Sequence, residues 1–286
     1  MKKIIALSIA ALVLTAFICG CASDKPTQGA ASNGNYSDEM KISAKVDLDP
    51  EAGADSVERD GDHKDSLYFA SADYYNMKSN DTLTILPKFK TYQQTSESSC
   101  GVVSALTVLN YFGKLGDYTE ESLAKLRNEA GDYQTSGATA VQQMISIFDH
   151  VGGFKVNSTY DYYGKADENG SAYFGEDGSA EAAYSVITLE WIRDQLKAGT
   201  PIMICWNDWG GHWQVIIGYD TMGTDTTQDD VIIVADPYDT TDHNQDGYGV
   251  YGAERFYYNW SMYDFFEGSE FAVERDLLFV TVTPEK

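Results

Sequence analysis

Residues 94–113 read Gln94-Thr-Ser-Glu-Ser-Ser-Cys100-Gly101-Val-Val-Ser-Ala-Leu-Thr-Val-Leu109-Asn-Tyr-Phe112-Gly113. A polar loop runs into Cys100, and beyond it Val102, Val103, Ala105, Leu106, Val108, Leu109 and Phe112 fill nearly every face of a helical wheel. A helix that is apolar all round belongs inside a core. Ser98 or Ser99 can cap its start and Gly113 can stop it. The stretch therefore predicts a central buried helix with Cys100 at its N-terminus. A thiol in that position feels the positive end of the helix dipole, which favours the thiolate. A thiolate at a loop–helix junction is a nucleophile, and Gly101 is expected to let a substrate backbone approach.

Three further helices are expected downstream. Leu123, Leu126 and Ala130 share a face behind the start signals Thr119 and Glu120. Val141, Met144, Ile145 and Phe148 share another, ending at Gly152-Gly153. Leu189, Ile192 and Leu196 share a third, capped by Thr188 and stopped by Gly199. Residues 159–181 and 248–265, rich in tyrosine, read as loops that could wall a cleft. Strands are expected at 82–86, 201–206, 213–219, 231–235 and 277–283. Mostly helices first and antiparallel strands second make an α+β domain.

A nucleophilic thiol needs a base. His63 falls in a polar segment, His150 ends a helix where a cation suits the dipole, and His243 falls in an acidic loop. His212 follows Gly210-Gly211 and opens an apolar strand, a context that calls for a function. If the strands 213–219 and 231–235 fold back about Thr224, Tyr219 meets Asp229 and His212 meets Asp236. Opposed residues have Cα atoms roughly 4.5–5.5 Å apart, so Asp236 could hold the imidazole and set its tautomer. Donors for an oxyanion would be the Cys100 backbone N–H and a side-chain amide from Gln94 or its neighbour Gln93. Cys205, inside the run Pro201-Ile-Met-Ile-Cys205-Trp206, reads as a small buried residue.

The segment from Gln94 to Gly101 and its helix, with Gly211-His212-Trp213-Gln-Val-Ile-Ile-Gly218-Tyr219-Asp220 and Val234-Ala235-Asp236-Pro237, resembles the peptidases that trim double-glycine leaders from bacteriocins, and more closely their stand-alone secreted bacterial relatives. Val102 stands where that family commonly has proline. The resemblance implies a papain-like fold, with a buried N-terminal catalytic helix packed on an antiparallel β-sheet. It implies a cysteine peptidase in which Cys100 is nucleophile, His212 base, Asp236 orienter and Gln94 the oxyanion residue. It implies a peptide or protein substrate and no required cofactor. Nothing in the chain resembles the transporter usually fused to leader peptidases, so leader trimming is not the expected task. Two rivals remain: a transglutaminase-like acyl transferase, and a binding module on a decayed peptidase scaffold.

At the start, Lys2 and Lys3 precede an apolar run from Ile4 to Ile18, too short to span a bilayer. Ile18-Cys19-Gly20-Cys21 resembles a bacterial lipobox. Residues 1–20 are therefore expected to be a lipoprotein signal peptide, with Cys21 lipidated and the protein held outside the cytoplasm on a membrane. Residues 21–66, acidic and nearly free of aromatics, are expected to be a disordered tether, leaving 67–286 as the peptidase domain. The whole chain carries a formal charge of −24, which argues against nucleic acid as a partner. Asp242-His-Asn244-Gln-Asp246-Gly247 places oxygen ligands at alternate positions before a glycine turn, as calcium loops do, although the twelfth position is Ala253 and Glu254 comes one residue late. A structural calcium there would hold Asp242, Asn244 and Asp246.

Overall fold

A computed structural model describes residues 38–42, 53–54, 72–127, 139–162, 186–208, 210–240, 244–261 and 276–286. The expectations for residues 1–20, Cys21, His63, Ala130, Asp242 and His243 lie outside the described residues. Seven strands form one antiparallel sheet: β1 Leu83–Ile85, β2 Phe154–Ser158, β3 Ile202–Trp206, β4 His212–Asp220, β5 Val231–Ala235, β6 Tyr248–Gly252 and β7 Leu278–Pro284. Their order is β2-β7-β3-β4-β5-β6. β4 is long enough to serve two neighbours on one edge, with β3 along its first half and β1 along its last residues. Among the described helices, α1 spans Cys100–Tyr111, α2 Glu120–Ala124, α3 Val141–Val151, α4 Leu189–Lys197 and α5 Ala253–Trp260.

The central helix is buried as its composition requires. Every residue of α1 from Cys100 to Leu109 is buried, and the helix packs against β3 and β4. β3 is buried at every position and β4 at all but its last, so helices cover both faces of the sheet's middle. Thr188 caps α4 by accepting the Trp191 N–H, and Gly199, at φ 79°, stops it. Thr119 caps α2 in a reciprocal capping box with Ser122.

Four expectations need correction. α2 ends at Ala124 and passes into a turn, so Leu126 does not continue its face. On α3, Ile147 rather than Ile145 is buried with Val141, Met144 and Phe148. Residues 248–260 form β6 and α5 instead of a loop. Ala253, Phe256 and Trp260 give α5 a buried stripe, and β6 pairs with β5 through glycine-rich backbone that disguises its strand pattern. The β4–β5 ribbon folds about Asp225–Thr226, not Thr224. Tyr219 therefore faces Ile232, and Val215 faces Ala235 across an irregularity between Ile216 and Gly218.

The segment read as a disordered tether also departs from expectation in two places. Thr91 pairs with the stretch around Lys41 through Thr91 N–H to Met40 O at 3.0 Å and Ile42 N–H to Thr91 O at 2.9 Å. Met40 is 1% exposed and joins the core. Gly53 lies so close to the Gln94 carbonyl that a Cβ there would sit 2.3 Å from it. Gln245 donates to Ala54 O at 2.7 Å. A mean composition hides one methionine that can anchor a strand-like clip. Met40→Ala is expected to lower stability by about 2 kcal/mol, read as a shifted urea midpoint with unchanged slope. A free tether would show no shift.

Candidate active site

The loop before α1 is held by a buried carboxylate. Glu120, at the head of α2, is 1% exposed and accepts from the Thr95 N–H at 3.1 Å, the Thr95 hydroxyl at 3.0 Å and the Ser99 hydroxyl. Ser99 is the N-cap of α1, but its side chain makes no capping bond. It bonds Ser96 O at 3.1 Å and Glu120 instead. The helix start is thus fixed by its tie to α2, and its first N–H groups remain available for other partners. Gly101 does not open a path for substrate as expected. A Cβ there would meet Thr139 at 2.6 Å, so the glycine lets α1 press against Thr139.

Cys100, His212 and Asp236 converge. His212 opens β4 and Asp236 follows β5. Their bond, His212 Nε2 to Asp236 Oδ1, measures 2.6 Å with both residues buried. Nε2 is thereby engaged, and Nδ1 is left to face the thiol, with which the imidazole shares a hydrogen bond. The expected register was wrong by two residues near the site: continued from Val215 opposite Ala235, it sets Gln214 level with Asp236. His212 lies two residues before Gln214 and so shares its face of the strand. An even slip keeps the side-chain face, which is why imidazole and carboxylate still meet.

The charges in this trio support one another. Burial alone would push the Cys100 thiol up. The His212 hydrogen bond and charge, with the Trp213 and Gly101 N–H groups, bring it below its ordinary 9.0. Burial would push His212 down, yet the Asp236 charge and hydrogen bond, aided by Cys100, raise it to about 10. Burial would raise Asp236, but His212, the Tyr238 N–H and Gln214 hold it below the usual carboxylate range. The favoured arrangement is a thiolate–imidazolium pair resting on a carboxylate, and such a thiolate can attack an acyl carbon.

The two glutamines separate by their partners. Gln93 is committed to the loop after β5: its Nε2 donates to Asp236 O at 2.9 Å and its Oε1 accepts from Asp239 N–H at 3.0 Å. Gln94 lies in the loop that leads to Cys100, 1% exposed, with Nε2 on Ser96 O at 2.8 Å and more weakly on Glu97 O at 3.3 Å. Its Oε1 is buried without a hydrogen-bond partner.

Other sequence-predicted groups fall apart from this centre. Cys205 is 2% exposed on β3, opposite Trp213. His150 is exposed at the end of α3, with Nδ1 on Ser146 O at 2.8 Å. Asn244 and Asp246 are buried, and Asp246 Oδ1 accepts the Tyr248 N–H at 3.0 Å as a turn former. Among the described residues, no group of three or more His, Cys, Asp or Glu side chains could hold a metal ion.

Sequence reasoning missed two residues. Glu120 read only as a helix start, because its partners lie 21 and 25 residues earlier. Gln214 lies inside an otherwise apolar strand, yet it is 0% exposed and donates to Asp236 Oδ2 at 2.7 Å. The signal was there: a glutamine amid buried apolar residues must find partners.

A helix-borne thiol set against an antiparallel sheet that carries imidazole and carboxylate defines the papain-like cysteine peptidase arrangement. Residues 87–265 match the model of the Peptidase_C39 like family, and the chain belongs to that family. Among solved structures, it is similar to the peptidase domain of Streptococcus ComA, described as a bi-functional ABC transporter involved in a quorum sensing pathway. The identity is 16% over 69% of this chain and 99% of that chain, with a TM-score of 0.35. No curated protein matches the chain.

Proposed function

We propose that this protein is a cysteine peptidase that hydrolyses peptide bonds with Cys100 as nucleophile, His212 as general acid and base, Asp236 as orienter and Gln94 as an oxyanion donor. One observation carries the reading: a buried thiol at the first turn of α1 shares a hydrogen bond with an imidazole whose far nitrogen is 2.6 Å from a carboxylate. Membership of a cysteine peptidase family supports the same reading and favours it over a transglutaminase-like transferase. The substrate class is peptide or protein.

The Cys100 thiolate adds to the scissile carbonyl carbon, and the π electrons move to oxygen. That oxyanion is met by the Cys100 N–H and by Gln94 Nε2, whose weak 3.3 Å bond to Glu97 O is the one to give way. His212 passes its Nδ1 proton to the leaving amine as the C–N bond breaks, leaving a thioester. Water then attacks the thioester carbon, gives its proton to His212 and displaces the thiolate. Asp236 keeps Nε2 engaged throughout, which holds Nδ1 toward the reaction.

Cys100→Ala should remove peptide hydrolysis, by about 10³-fold or more, without loss of fold. For the native enzyme, kcat/KM should rise as Cys100 gives up its proton below pH 9.0 and fall as His212 loses its own near pH 10. Normal hydrolysis by Cys100→Ala refutes the assignment. Glutamine-directed amine transfer without hydrolysis would support the transferase instead.

We also propose that the protein is anchored outside the cytoplasm through a lipid on Cys21, on the strength of the charged, apolar and Ile18-Cys19-Gly20-Cys21 sequence order. Among the described residues, no helix is long and apolar enough to cross a membrane. Cys21→Ala expressed in a bacterial host should move the protein from the detergent fraction to the soluble one. Retention in the membrane fraction refutes the lipid anchor.

A further inference from the structure

Behind the carboxylate lies a second layer of directed hydrogen bonds. Gln214 Nε2 donates to Asp236 Oδ2 at 2.7 Å and to Tyr251 Oη at 3.0 Å. Its Oε1 accepts from the Trp206 indole N–H at 2.8 Å. These bonds fill both hydrogens of the amide and engage its oxygen. The indole N–H can only donate, so it dictates which end of the amide faces Asp236. Trp206 sits opposite His212 on the neighbouring strand; Trp206 and Gln214 are buried, and Tyr251 is half-buried. Tyr251 Oη passes the chain on to Asp208 Oδ2 at 3.4 Å, toward the β3–β4 turn that precedes His212.

The carboxylate is thereby divided. Oδ1 takes His212 Nε2 at 2.6 Å and the Tyr238 N–H at 2.8 Å, and Oδ2 takes Gln214. A buried carboxylate whose second oxygen had no donor would carry an unpaid desolvation cost and would ionise less readily. A less anionic Asp236 would stabilise the imidazolium less, and the imidazolium in turn would stabilise the thiolate less.

We propose that Gln214, oriented by the Trp206 indole, is a positioning residue that acts through Asp236 to set the proton equilibrium between Cys100 and His212. The proposal rests on the thiolate–imidazolium reading above and deepens it. Gln214 touches neither the thiol nor the imidazole in this scheme. Its effect reaches Cys100 only through the ionisation and orientation of Asp236.

The test is the pH dependence of Cys100 carboxamidomethylation by iodoacetamide, followed by mass spectrometry so that Cys205 is counted separately. It is read on the folded full chain and does not depend on knowing a substrate. In Gln214→Leu the acid limb of the Cys100 profile should move up by about one pH unit, so that alkylation at a fixed pH on that limb is about tenfold slower. Gln214→Glu, which sets a second carboxylate against Asp236, should move it further. Trp206→Phe keeps an aromatic ring and removes only the orienting donor, so it should move the limb by a smaller amount, about threefold in rate. Trp206→Phe also serves if Gln214→Leu fails to fold. A purely structural role would lower thermal stability and leave the limb in place. If every folded variant keeps the native limb, the Gln214 assignment is overturned and the peptidase reading stands. If the native protein itself has the profile of an ordinary thiol, the ion pair is absent and both readings fall.

Discussion

The 2.6 Å bond between His212 and Asp236 is the contact on which the proposed chemistry turns. Each partner alone would be a poor resident of the interior. A buried imidazole tends to lose its proton and a buried carboxylate tends to keep one. Together they hold the opposite states, and the imidazolium so created draws the nearby thiol toward its anion. In the proposed active site, three groups that burial would each push toward neutrality are drawn toward their charged forms by one another. Remove any one and the desolvation of the other two is no longer offset.

The fold is arranged to bring that trio together from three distant parts of the chain. α1 delivers Cys100, β4 delivers His212, and the turn after β5 delivers Asp236. The loops are tied down where they must not wander. Glu120 fixes the approach to α1, Gln93 joins that approach to the Asp236–Asp239 loop, and the clip around Met40 lies along Thr91. Preorganisation of this kind is what allows a static array of dipoles to favour a developing charge. Gln214 extends the same logic inward, so the tuning of Asp236 reaches as far as the indole on β3.

Much of this could be read from the chain because the strongest signals are local. Between Val102 and Leu109 only Ser104 and Thr107 are polar, and so apolar a helix puts Cys100 at the head of a core helix. His212 was singled out because the other three histidines had ordinary explanations. The pairing of His212 with Asp236 was reached through a register that the structure corrects. It survived because a slip of two residues preserves the face on which side chains point. Hidden features depend on contacts distant in sequence. Gly101 faces Thr139, Glu120 reaches back to Thr95, and Met40 reaches forward to the core, none of which periodicity encodes. α5 and β6 were obscured by tyrosines and glycines that look like loop composition until the spacing of Ala253, Phe256 and Trp260 is counted.

The proposed active site hinges on a Cys100–His212 thiolate–imidazolium pair supported by Asp236. Long-range ¹H–¹⁵N correlation spectra of the His212 ring across a pH titration test it most directly. Both ring nitrogens should stay protonated through neutral pH and titrate at about 10, and this titration should fall in Asp236→Ala. A His212 ring that is neutral at pH 8, with a titration near the 6.5 of an ordinary histidine, would contradict it.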